Sequence, residues 1–165
     1  MIVLEERLAE IFDTLPDIVN ADGSFKPAFG YGDDLELSQF LKAKINQAVH
    51  PLVWLVYGNE EKHDRNNKFL ISQSTTFIIA AKNIIPMLNE QRMKKTYSNI
   101  LNPMLKNVKT ALMSSGITQV MPIGDNVFFS VVKVPNYTKS IHIWDAIKLT
   151  CSIKVNACTF TQINY

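Results

Sequence analysis

Apolar residues recur at helical spacing from the start of the chain. Leu4, Leu8, Ile11, Phe12 and Leu15 share a stripe, and Glu5, Glu6 and Glu10 stand outside it. The pattern predicts a helix over residues 3–15 that Pro16 ends. Residues 17–32 lose the period. Gly23, Pro27, Gly30 and Gly32 with scattered aromatics predict a long ordered loop or an extended arm. Asp33 and Asp34 are placed to cap a second helix, with Leu37, Leu41, Ile45 and Ala48 on one face and Phe40 alongside. Pro51 closes it. Leu52–Tyr57, six apolar residues bounded by Pro51 and Gly58, then reads as a strand buried on both faces.

Residues 58–67, GNEEKHDRNN, read as a polar turn between two strands. The second of these strands, about 68–82, is rich in β-branched and aromatic residues. Asn89 opens a third helix over about 90–115. Met93, Tyr97, Ile100, Leu101, Met104, Leu105, Val108 and Leu112 share one face of it, and Arg92, Lys95, Lys106 and Lys109 the opposite one. Pro103 inside this helix removes a hydrogen bond and crowds the carbonyl of Asn99, so the unbroken stripe predicts a kink. Asn102-Pro103 could also cap a restarted helix. Gly116 is the natural C-cap. Gly124–Asn126 forms a turn, Val127–Val134 a strand and 135–139 a loop. Residues 146–155 alternate, with Ile147, Leu149, Cys151, Ile153 and Val155 facing in and Lys148, Thr150, Ser152 and Lys154 facing out.

These elements predict an α+β fold: a single compact domain with a mostly antiparallel four-stranded sheet, the long helix packed on one face, and N-terminal helices. The expected organisation is an N-terminal helix and extended arm (1–34), a core (35–156) and a C-terminal tail (157–165).

The length of 165 residues suits one domain with its own core. An apolar share of 47% with 19% charged residues excludes a disordered chain, and no apolar run approaches the ~20 residues of a membrane span. The N-terminus carries acids where a signal peptide carries bases, so synthesis in a cytoplasm without membrane association is expected. Cys151 and Cys158 make neither a disulfide framework nor a metal cluster. Charge alters the picture more. Residues 1–40 hold nine acids against two bases, a net −7, and residues 41–165 hold fifteen bases against six acids, a net +9. Such a split describes either two solvated faces or two complementary contact surfaces. On the second reading Glu5, Glu6, Glu10, Asp33 and Asp34 face Arg92, Lys95, Lys106 and Lys109 of a neighbouring copy.

Catalytic chemistry is sparse. His50, His63 and His142 lie far apart, and none has metal-ligand spacing. Lys62-His63-Asp64-Arg65 is the tightest polar group. His63 and Asp64 could act as base and orienter, although a solvated hairpin loop that contacts a partner is the simpler reading. Cys151 points inward, and Cys158 has no base closer than Lys154 to lower its pKa. No phosphate-binding loop, dinucleotide fingerprint or nucleophile elbow occurs. No cofactor, metal or enzymatic activity is therefore expected. The basic helix face suits solvent or an acidic protein partner better than DNA, because no base-reading motif accompanies it.

Several segments together carry a resemblance. Pro51–Tyr57 follows a helix, and a charged loop with His63-Asp64-Arg65 leads into a long strand. A helix opens with Gln91-Arg92 and contains Leu101–Leu105, and Trp144–Leu149 runs into an alternating strand. Over roughly residues 35–156 this order resembles the small tail-completion or tail-terminator proteins of tailed bacteriophages. The resemblance implies an antiparallel sheet flanked by helices. It also implies a hexameric ring at the head–tail junction of a virion, joining the tail tube to the neck without enzymatic activity. The implied partners are further copies of the chain and other tail or neck proteins, with DNA reached only in a ring lumen. The acidic first 34 residues and the C-terminal tail depart from the pattern. A related neck or connector ring, a small α+β protein-binding module and an enzyme using His63 and Asp64 are the alternatives.

Overall fold

Two long antiparallel strands, β6 (Phe69–Asn83) and β9 (Ile143–Asn156), form the spine of the protein in a computed structural model. It describes residues 1–21, 23–43, 51–83, 88–138, 143–157 and 162–165. Each spine strand carries two shorter strands on its outer side. β4 (Leu52–Val56) and β5 (Glu60–His63) pair with successive parts of β6, and β8 (Ser130–Val134) and β7 (Thr118–Met121) with successive parts of β9. A bulge between Ser72 and Thr75, with Ser74 at φ 54°, separates the two halves of β6. Such a bulge turns the strand locally and leaves polar groups to satisfy. Thr75 Oγ1 and Asn59 Nδ2 both donate to Ser72 Oγ, at 2.8 and 2.9 Å.

The seventh strand, β3 (Ala28–Gly32), runs parallel to β4 and makes the sheet mixed. Parallel neighbours need a crossover, and α2 (Asp34–Ala43) lies between them in the chain. The start of α2 is fixed by a reciprocal cap: Glu36 N–H donates to Asp33 Oδ1 at 2.7 Å, and Asp33 N–H to Glu36 Oε2 at 2.8 Å. Asp33 is therefore the expected cap. Ile45, Ala48 and His50 lie outside the described residues, as do His142 and Cys158. A small hairpin, β1 (Ile18–Asn20) with β2 (Gly23–Phe25), precedes β3.

The third helix, α3, spans residues 89–114. Its ends are α-helical (Asn89–Arg92 and Asn102–Ser114), and Met93–Leu101 is π-helix. Where the sequence predicts a kink, the structure changes helix type. The wider π turn gives the Asn99 carbonyl room, and Pro103 then sits in the first turn of the following α segment, where a missing N–H costs least. The extra residue per π turn also rotates the stripe, so Met93 is exposed. Gly116, at φ 72°, ends the helix as expected.

The core has two parts, one on each face of the sheet. On one face α1 (Leu4–Phe12) and α3 pack on Val53, Leu55, Phe77, Ile79, Ile147 and Leu149. On the other, Leu37 and Leu41 of α2 cover Leu52, Trp54, Ile78, Ala80, Trp144 and Ala146. The inward register of Ile147, Leu149, Cys151, Ile153 and Val155 is as the alternation predicts, all fully buried.

The fold is thus an α+β domain that has, among the described residues, three helices, a main mixed sheet of seven strands and a small hairpin, where the sequence reading has a four-stranded, mostly antiparallel sheet. Three short strands account for the difference. β5 lies within the polar run 58–67, β7 begins two residues after Gly116, and β3 lies in the segment expected as an arm. That expectation is corrected most. Residues 1–32 are built into the core through Leu4, Leu8, Ile11, Phe12, Leu15 and Ile18, and through the pairing of β3 with β4. Each such side chain contributes roughly 1.5–3 kcal/mol by burial, so the segment is not free to reach away.

Candidate functional site

Five of the strands share one register. Ala28, Leu52, Ala80, Ala146 and Val134 form a cross-sheet row, and Gly32, Val56, Thr76, Thr150 and Ser130 form the row at the other end. The rows between them are unbroken, giving a band five strands wide and five residues deep. Its margins are β3 and β8. Among the described residues neither has a strand on its outer side. Among the described residues, therefore, no strand takes up the outward backbone N–H and C=O groups of either margin.

The β8 margin is apolar. Val131 and Val132 lie in the strand, and Ile123, Val127 and Phe128 precede it, all exposed; Val132 keeps 52% of its surface. A strand exposed on both faces at a sheet edge is a liability in isolation, and natural proteins reserve such patches for partners. Bases border it. Lys133 lies in the strand with its ammonium 5.4 Å from the Tyr97 ring, Lys109 lies over Phe129 at 5.1 Å, and Lys148 is the register partner of Val132.

Acids and aromatic rings border the β3 margin. Tyr31 is half exposed and stacks on Tyr57 at 6.0 Å. Burial, then the charges of Glu5, neighbouring Tyr31 and Glu36, raise the pKa of Tyr57, and Glu5 also accepts its hydrogen bond. A cleft of about 510 Å³ opens beside the strand, with Phe12, Ala28 and Phe29 as its apolar part and Glu10 and Asp13 as its acids. Asp33 and Asp34 follow the strand directly. Of the predicted acids, Glu5 and Glu10 therefore lie beside β3, whereas Asp34 lies on the α2 face of the sheet, and Lys109 lies beside β8. Glu6, Lys95 and Lys106 are exposed on their helices.

Arg92 is a correction. It was expected on the exposed basic face with the lysines, but only 6% of it is exposed. Its Nε lies 3.1 Å from Oδ2 of the fully buried Asp145, an ion pair without the alignment of a hydrogen bond. Its Nη1 and Nη2 donate to Oδ1 of Asn89 and of Asn136, both at 2.9 Å. Asp145 also accepts from the side-chain amide of Asn83 and from Asn136 N–H at 2.9 Å. Thr96 Oγ1 donates to Asn83 Oδ1 at 2.7 Å, and Tyr97 Oη to the Ala146 carbonyl at 3.2 Å. Burial and then the Asp145 charge push the Tyr97 phenol up to about 12, with Arg92 opposing. Buried charges persist when paired and hydrogen-bonded, as here. The network clamps the start of α3 to the ends of β6 and β9, and Arg92 is not available to a neighbour. Sequence reasoning missed it because the partners are 53 residues apart, Arg92 to Asp145.

The charged group 62–65 is placed at the end of β5 and the turn that follows. His63 Nε2 faces Glu61 at 3.4 Å, and Asp64 Oδ2 accepts the amides of Asn66 and Lys68. Asp64 thus shapes the turn, and among the described residues His63 pairs with Glu61 rather than with Asp64. Lys62 Nζ donates to Gln73 Oε1 at 3.2 Å, and Arg65 is exposed. On the α2 face, clefts of about 430 and 330 Å³ share Asp34 and Tyr137. Burial, then the Asp34 charge, raises the Tyr137 phenol. Among the described residues no group of three or more His, Cys, Asp or Glu could hold a metal ion.

No protein-family model matches this chain, and no curated protein matches it. The site is therefore defined by its geometry: a strand band with an apolar, base-bordered margin on one side and an acid-bordered margin on the other.

Proposed function

We propose that the protein is a structural subunit that assembles with copies of itself into a ring. Its place is the head–tail junction of a tailed-phage virion, where the ring completes the tail and joins it to the neck. The observation that carries the assembly reading is the five-residue band open at two opposite margins of unlike character. A head-to-tail contact between unlike surfaces closes into a ring when the rotation between copies allows it. The place in the virion is supported by the resemblance of residues 35–156 to tail-completion proteins.

Light scattering on the eluting protein, with imaging of the same fraction, tests this reading. The expected result is one annular species, six copies if the resemblance holds. A monomer at every concentration and salt would overturn assembly. A ring that binds neither isolated tails nor filled heads would remove the place at the junction.

A further inference from the structure

This inference rests on the assembly reading and names its contact. The two open margins of the band are equal in length, five residues each, and lie in one register. Strand directions follow from the pairings: β3 and β4 run one way, β6 the other, β9 the first way again and β8 the second. If the sheet continues into a following copy in the same sense, β8 meets the next β3 antiparallel. That is the geometry a hydrogen-bonded ladder needs, without inverting either subunit.

We propose that β8 of one subunit pairs antiparallel with β3 of the next over the full five residues, with Val131 opposite Tyr31 and Lys133 opposite Phe29. Charge complementarity selects a second copy as the occupant. Val131 and Lys133 lie on the face of the band that carries α1 and α3, as do Phe29 and Tyr31. The cleft beside Phe29 holds two carboxylates on that face, Glu10, which pairs with Arg7 of its own helix at 2.7 Å, and the exposed Asp13. Full-length pairing brings Lys133 to those carboxylates and Val131 against the exposed Tyr31 ring. The backbone ladder sets register and orientation, and the apolar side chains of the β8 margin supply the burial.

The test uses the full chain with Cys158→Ser, leaving Cys151, which is buried, in place. Tyr31→Cys and Val131→Cys are introduced together. Cα atoms directly opposite in an antiparallel pair are about 4.5–5.5 Å apart, within disulfide range. Mild oxidation of the assembled protein should give a ladder of covalent oligomers on a denaturing gel, up to the size of the ring. Val131→Cys paired with Val19→Cys, on the exposed face of the β1–β2 hairpin, should give none. In the unlinked protein, Lys133→Glu should raise the assembly midpoint by about fivefold, the size of a partly exposed ion pair. Adding Asp13→Lys to the same chain, which leaves the Arg7–Glu10 ion pair in place, should recover most of that loss. Annular particles that give no 31–131 ladder would overturn this pairing and leave the ring reading standing. Open filaments carrying the ladder would uphold the pairing and remove the ring. A chain that stays monomeric would remove both.

Discussion

Replacing Arg92 with methionine keeps much of the aliphatic stem and removes the guanidinium that faces Asp145. The carboxylate stays fully buried, 3.1 Å from where Nε was, and keeps the Asn83 amide and the Asn136 N–H as donors. Asn89 and Asn136 each lose a partner for Oδ1. Stripping one partner from a buried pair costs roughly 3–5 kcal/mol, because the remaining charge is uncompensated. The two surviving donors put the expected loss near the lower end, about 3 kcal/mol. Against a total of about 5–15 kcal/mol for a domain, that is a large share. Urea unfolding followed by far-ultraviolet circular dichroism and by tryptophan fluorescence reads it, since Trp144 is buried beside Asp145. The double variant Arg92→Met, Asp145→Asn should lose clearly less than the two single losses added, with a coupling of at least about 1 kcal/mol. A single-variant loss below about 1 kcal/mol, or additivity within error, would refute the clamp.

Three further outcomes are expected. Ile153→Ala, in the fully buried row of β9, should cost about 2–4 kcal/mol by cavity formation, and Thr150→Ala on the half-exposed face under about 1 kcal/mol; equal losses in thermal melts would mean the register is wrong. Gly30→Ala places a methyl 2.6 Å from Trp54 Cζ3, so it should destabilise by about 1–3 kcal/mol and shift tryptophan emission; a neutral substitution would show that the β3–β4 packing is loose. Burial raises the Cys151 thiol and the Tyr97 phenol each to about 12, from 9.0 and 10.0. Both groups keep their protons to higher pH in the fold than in the unfolded chain, so their contribution is complete well below pH 9 and is lost as pH rises from about 9 to 12. A pH series of urea midpoints should fall in that window, and a flat profile would contradict it.

Local pattern carried the long elements. The stripe of α1, the buried run of β4 and the strict alternation of β9 each place a side chain relative to its near neighbours, and helical and strand periods are set by the backbone within a few residues. The Asp33 cap was legible for the same reason, since its partner Glu36 is three residues away. The acidic and basic halves were visible as composition. What composition could not say is that Glu10 and Asp13 lie beside β3, and that Lys133 lies within the β8 margin and Lys109 and Lys148 beside it.

Pairing between distant strands was decided by the tertiary structure. Ala28–Gly32 has little strand propensity of its own; two glycines in five residues disfavour it. It becomes a strand because α2 returns the chain to its side as β4, with Gly30 allowing Trp54 to pack against it. Val127–Val134 read as an ordinary strand. Whether its valines face a core or solvent depends on what lies on the outer side of β8, and no local period contains that information. Arg92 shows the limit most plainly. Its place on the helix was predictable, but its burial depends on Asp145, which the fold brings to it from 53 residues away.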